Sequence, residues 1–163
     1  MIVRRLGQED LEVFRYLRLT SLKTDPDNYA SDYDVWAAYS DRKWLSYLEG
    51  EQVFGAFVDD APAGLIGLIP NVKSRLAHRT EIAMVYVTTE FRGTGVANAM
   101  LKHVIQISRT AGLLQIELSV NATNDRAVDL YVRHGFKAYG RLPQAFRTGE
   151  GFCDDLLMVL KLK

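Results

Sequence analysis

The run EIAMVYVTTEFRGTGVANAMLKHVIQISRTAG, residues 81–112, constrains this chain more than any other. Residues 81–87 are β-rich, Thr88 to Phe91 turn, and residues 95–111 switch to helical spacing. Val96, Met100, Leu101, Val104, Ile105 and Ser108 line one helix face, and Asn98, Lys102, Gln106 and Arg109 line the other. Gly112 stands where a helix C-cap is expected. Two periods meeting across two glycines place the chain among the mixed α/β folds.

The junction also carries chemistry. The first turn of a helix leaves backbone N–H groups without intrahelical partners, and the helix dipole adds to their pull on an anion. Gly93 and Gly95 allow close backbone approach and positive φ, and Arg92 brings a cation. A plain strand-to-helix turn without a ligand explains the glycines equally well. The dinucleotide fingerprint fails, because Asn98 stands where its third glycine belongs, and no Gly-Lys-Ser/Thr follows.

The remaining chain reads as one domain over 1–163. Residues 2–6 suggest a strand. Residues 8–24 suggest a helix, with Leu11, Phe14, Leu17, Arg18 and Leu22 near helical spacing and DPDN (25–28) as its stop. Residues 33–49 read as a second helix ended by Gly50. Strands are expected at 52–58, 63–72 and 114–120, with turn chemistry in DDAPAG between the first two. A short helix over 124–136 ends at Gly135, and closing strands fall near 136–141 and 152–161. The order is β-α-α-β-β-β-α-β-α-β-β, an α/β domain with a mixed sheet.

Twenty basic and 20 acidic residues cancel, which argues against nucleic acid as a partner. No apolar run is long enough to cross a membrane, so a cytoplasmic protein is the expectation. Cys153 is the lone cysteine, so neither an intramolecular disulfide nor a cysteine metal cluster is expected; no metal site is read from the sequence. His103 reads as structural, and His134 as a cation at a helix C-terminus.

A second segment narrows the field. Arg92-Gly93-Thr94-Gly95-Val96-Ala97, followed downstream by Asn124, Ala127, Leu130-Tyr131 and Gly135-Phe136, closely resembles the paired signatures of the GNAT superfamily of acyl-CoA-dependent N-acetyltransferases. The specific resemblance covers about residues 78–137. It implies acetyl-CoA as co-substrate, its pyrophosphate on the backbone of Arg92, Gly93, Thr94, Gly95, Val96 and Ala97. It implies a pantetheine arm beside the main chain of Val85, Tyr86 and Val87, in a slot where the central strands splay. Asn124 matches the asparagine that contacts the cofactor, though a helix N-cap is its plain alternative. Tyr131 matches the tyrosine near the cofactor sulfur, where a phenol can donate to a leaving thiolate.

The attacking amine must be neutral. Deprotonating a lysine-like amine at pH 7 costs roughly 5 kcal/mol, against roughly 1 for an α-amino group. Glu81 matches a frequent family acid and is the first candidate for the base, with an exposed strand-end carboxylate as its alternative; His78 is the weaker one. A backbone N–H near Val85 is expected to face the oxyanion.

The resemblance therefore implies direct transfer of an acetyl group to a primary amine in a ternary complex. The alternative is a non-catalytic acyl-CoA-binding sensor or interaction module on the same fold. The acceptor is a small-molecule or peptide amine, and a homodimer is left open. Asp25, Asp27, Asp32 and Asp34 would favour a cationic acceptor, whereas Arg141 and Arg147 would favour an anionic one. These hints oppose each other, and the sequence names no substrate.

Overall fold

A computed structural model describes all 163 residues. Seven strands form one sheet in the order β1-β2-β3-β4-β5-β7-β6. They are β1 (Ile2–Arg5), β2 (Gln52–Val58), β3 (Ala61–Pro70), β4 (Arg79–Val87), β5 (Gln115–Asn121), β6 (Lys137–Thr148) and β7 (Gly151–Lys161). Only β4 and β5 run parallel; every other pair is antiparallel. Helices α1 (Leu11–Thr24), α2 (Tyr33–Ala37) and α3 (Asp41–Gly50) precede β2, while α4 (Val96–Thr110) and α5 (Asp125–Arg133) flank β5. No helix is long and apolar enough to cross a membrane.

Side chains alternate along the inner strands and split the interior into two cores. Val53 and Leu65 join Phe14, Leu17, Trp36 and Trp44 under α1–α3. Phe54 and Ile66 join Val96, Met100, Leu101 and Val104 under α4. The apolar face expected for α4 is the buried face.

Three expected boundaries change. The single helix over 33–49 is two helices, because the Ser40 side chain accepts from the Lys43 N–H at 3.3 Å and caps α3. Trp36 then turns back to stack on Tyr47, with centroids 4.6 Å apart. The strand expected to end at 141 continues to Thr148. It is an edge strand, and its register slips between Leu142 and Phe146, where Pro143 needs no ladder hydrogen bond. The strand expected at 63–72 spans 61–70, since Asp59 and Asp60 form the whole turn with both φ values positive.

One irregularity sits in β4. Gly67 pairs with Ala83 and Leu65 with Tyr86, so Ile66 faces both Met84 and Val85. This is a β-bulge, with Met84 at φ 56°.

Candidate active site

Strands β4 and β5 pair only at Arg79–Gln115, Thr80–Ile116 and Glu81–Glu117. Beyond Glu81 they part, as the expected splayed sheet requires. A groove of about 460 Å³ opens there, lined from β4 by Glu81 and Ile82 to Val85, from β5 by Ser119 to Asn121, and from α5 by Ala127, Leu130 and Tyr131. Glu81, Val85, Asn124 and Tyr131 therefore share one cavity. Tyr86 points away into the core under α1, and Val87 packs toward α4; both lie outside the groove.

The glycine loop lies past the end of β4, outside the groove walls. Gly93 and Gly95 take φ 79° and 94°, and a Cβ on either would meet nothing within 4 Å. Backbone conformation, not crowding, is what requires glycine there. No acceptor within the chain takes the N–H of Gly93, Gly95, Val96, Ala97 or Asn98; the first bond of the helix runs from Ala99 to the Gly95 carbonyl at 3.0 Å. Thr94 is turned inward, its hydroxyl donating to the Phe91 carbonyl at 2.7 Å. The Arg92 side chain is also committed: it pairs with Asp25 and donates through Nε to the Val87 carbonyl at 3.1 Å.

Tyr131 is 5% exposed and stands edge-on to Phe136, centroids 5.7 Å apart. No hydrogen bond within the chain engages its hydroxyl, and burial pushes its pKa far above the usual phenol value. Glu81 is exposed at the rim, yet loss of water around the carboxyl, and then the Glu117 charge, push its pKa up; Arg79 pulls the other way. Arg79 is itself held by Glu117 at 2.9 Å. His78 lies outside the groove.

Asn124 is the N-cap of α5, its Oδ1 accepting from the Ala127 N–H at 3.2 Å. Its Nδ2 also donates to Asn28 Oδ1 at 3.1 Å. His134 is the C-cap of α5, as expected, but not as a cation. Its ring meets Asn98 Oδ1 at 3.0 Å, and burial, Lys102 and Arg133 lower its pKa, so the charge is disfavoured.

Several site residues have no sequence motif. Tyr29 donates its hydroxyl to the Val85 carbonyl at 2.8 Å, on the very strand expected to meet the pantetheine. Residues 25–28 bridge the groove mouth: Asp25 pairs with Arg92, the Asp27 carbonyl accepts from Asn121 at 2.9 Å, and Asn28 accepts from Asn124. The wall beneath holds Arg18, Trp36, Tyr47 and Glu51. Of the charges weighed from sequence, Arg141 is spent on Asp154 at 2.7 Å and Arg147 lies over Phe152, so neither lines the groove.

The arrangement matches known proteins. An uncharacterised N-acetyltransferase of Methanocaldococcus jannaschii is 28% identical over 137 residues, covering 83% of this chain and 60% of that protein's length. The crystal structure of a GNAT-family acetyltransferase from Streptococcus pneumoniae superposes with a TM-score of 0.86 at 22% identity, covering 99% of both chains. The Salmonella typhimurium protein yncA, solved with its cofactor acetyl-CoA, superposes with a TM-score of 0.85 at 18% identity, over 100% of this chain and 94% of that one. The profile of the Acetyltransferase (GNAT) family matches residues 16–136, from α1 through the glycine loop to the end of α5. With the splayed strands, the loop and both signatures inside that span, the chain belongs to the GNAT acetyltransferase family.

Proposed function

We propose that the protein transfers an acetyl group from acetyl-CoA to a primary amine by direct attack in a ternary complex. One observation carries the reading: five N–H groups within six residues at the start of α4 have no acceptor in the chain, on a loop whose two glycines leave open space. Such donors suit the pyrophosphate of coenzyme A, since hydrogen bonds to charged groups are the stronger kind. From Ile82 to Val87 the β5-facing edge of β4 has no neighbouring strand, and the main-chain groups there not already taken by Tyr29 and Arg92 are free to meet the amides of the pantetheine arm. That course leads the thioester toward Tyr131.

The acceptor nitrogen attacks the thioester carbonyl carbon, the C–N bond forms and the C–S bond breaks. Glu81 takes the proton lost by the nitrogen, directly or through one water. Its raised pKa brings it closer to the working pH than an ordinary carboxylate. Tyr131 stays protonated because of its burial, so it meets the leaving sulfur as a donor. It gives that sulfur a hydrogen bond as the C–S bond breaks, and the thiolate takes its proton from solvent as coenzyme A leaves. Cys153 is buried in β7, and burial raises its thiol pKa, which speaks against a covalent acetyl-cysteine route.

The test has two parts. Acetyl-CoA at millimolar concentration should raise the melting temperature, by the linkage between ligand binding and folding. A panel of polyamines, amino acids, aminoglycosides and peptides with free N-termini should then include acceptors that release free coenzyme A. A melting shift with no release from any amine would favour a non-catalytic acyl-CoA sensor.

A further inference from the structure

Arg18 is a cation inside the groove with nothing to bind. It is 3% exposed, although it projects from α1 into the cavity wall. Its Nε and Nη1 have no hydrogen-bond partner, and none of the ion pairs of the chain includes it. The guanidinium sits over Trp36 at 4.5 Å and Tyr29 at 5.1 Å from the ring centroids. Those rings offset part of the lost hydration but supply no acceptor oxygen. Burial lowers the guanidinium pKa to about 10, which still leaves it charged at neutral pH.

A buried, unpaired guanidinium costs several kcal/mol, and native proteins pair such groups. Glu51 is near enough to interact with it, yet the two form no ion pair, and Glu51 Oε2 is likewise buried without a partner. The other groove carboxylates are Glu81 on β4, where the splay begins, and Asp155 on β7, opposite Asn121 of β5. The cavity thus has an unpaired cation on its α1 wall, with Glu51 near it, and two further carboxylates on its strand walls. A ligand with an anionic end and an amine end fits that division.

Building on the acetyltransferase reading, we propose that Arg18 determines acceptor specificity by binding a carboxylate, so that the acceptor is an amine of the amino-acid class with one free carboxylate. Nε and Nη1 are closed off from the cavity, so Nη2 is the guanidinium nitrogen left to donate to a carboxylate oxygen, with the charge of the whole group behind it. Glu81 and Asp155 then face the amine end. Glu51 beside Arg18 disfavours acceptors with a second carboxylate, so aspartate- and glutamate-like amines rank below neutral ones.

Matched pairs of α-amino acids and their decarboxylated amines test this, with coenzyme A release as the readout. In the wild type the amino acid should exceed its decarboxylated partner at least about tenfold in kcat/KM, roughly the value of one charged hydrogen-bond pair. Arg18→Gln should pull that ratio toward one, and Arg18→Lys should restore part of it. A wild-type ratio of one or less, or a ratio unchanged in Arg18→Gln, overturns the assignment. Melting temperature and acetyl-CoA affinity of each variant separate a folding defect from lost selectivity; if Arg18→Gln does not fold, a ratio unchanged in Arg18→Lys overturns the proposal and a reduced one supports it. Calorimetry with N-acetyl-amino acids needs no turnover. At least tenfold weaker binding to the variant supports the carboxylate site even if no amine releases coenzyme A, in which case the enzyme reading alone fails. Equal affinity, or no binding to the wild type, overturns the site.

Discussion

The two sides of the groove are built from different material. The side assigned to the acyl donor is main chain: a strand that leaves its neighbour and, past its end and outside the groove, a loop with five unpaired N–H groups and two glycines at positive φ. The opposite side is side chain: Arg18, Tyr29, Trp36, Tyr47 and Glu51, gathered from α1, α2, α3 and the segments around them. A main-chain site needs particular residue types in a short local run. A side-chain site needs only that distant residues meet, and its sequence trace is scattered.

The largest expected effect tests where the sides join. Tyr131→Phe should lower kcat about 100-fold, within the range for a positioned hydrogen-bond donor, with acetyl-CoA affinity nearly unchanged. Unchanged turnover would leave the phenol no part in the chemistry. Gly95→Val should act only on the donor side. Forcing a β-branched residue to φ 94° strains the loop by roughly 1–2 kcal/mol, so cofactor affinity should fall about tenfold or more by calorimetry. Equal affinity would break the main-chain account of that side.

Glu81→Gln is expected to cost about tenfold in kcat/KM and to alter the pH profile. A base whose pKa is raised by burial loses activity as pH falls through that raised value, so the wild-type acid limb should lie above the ordinary carboxylate range. The limb should vanish in the variant; a limb that stays belongs to another group. The smallest effect is at Asn124. Losing the N-cap should destabilise the fold by about 1 kcal/mol, a drop of about 2–4 °C in melting temperature for a chain of this size. If Asn124→Ala lowers the melting temperature but leaves acetyl-CoA affinity alone, the residue is a cap and nothing more.

This contrast explains what the sequence discloses. Gly93, Gly95, Gly112 and Gly135 all take positive φ, as their places at loop and helix ends suggest. The α4 stripe and the inner strands read correctly because their periods match their burial. The break at Ser40 is hidden because Trp36, Tyr39, Trp44 and Tyr47 keep near-helical spacing across it. The extension of β6 is hidden because Pro143 and a register slip interrupt alternation on an edge strand. Arg18 stands in the apolar period of α1, and a cation on that face is the one signal for the opposite wall. The bridge from Asp25 to Asn28 leaves no trace, since its partners Arg92, Asn121 and Asn124 lie more than 60 residues downstream.

The extra residue in β4 has a further effect. Ile82 and Tyr86 are four apart and would share a face in a regular strand, yet Ile82 belongs to the core under α4 and Tyr86 to the core under α1. Met84 is a phase shift that inverts the inside–outside alternation for the last three residues of the strand. Deleting it would exchange Tyr86 and Val85 between the two cores and carry the Val85 carbonyl away from Tyr29. The donor slot thus depends on the count of residues in β4 as much as on their identities.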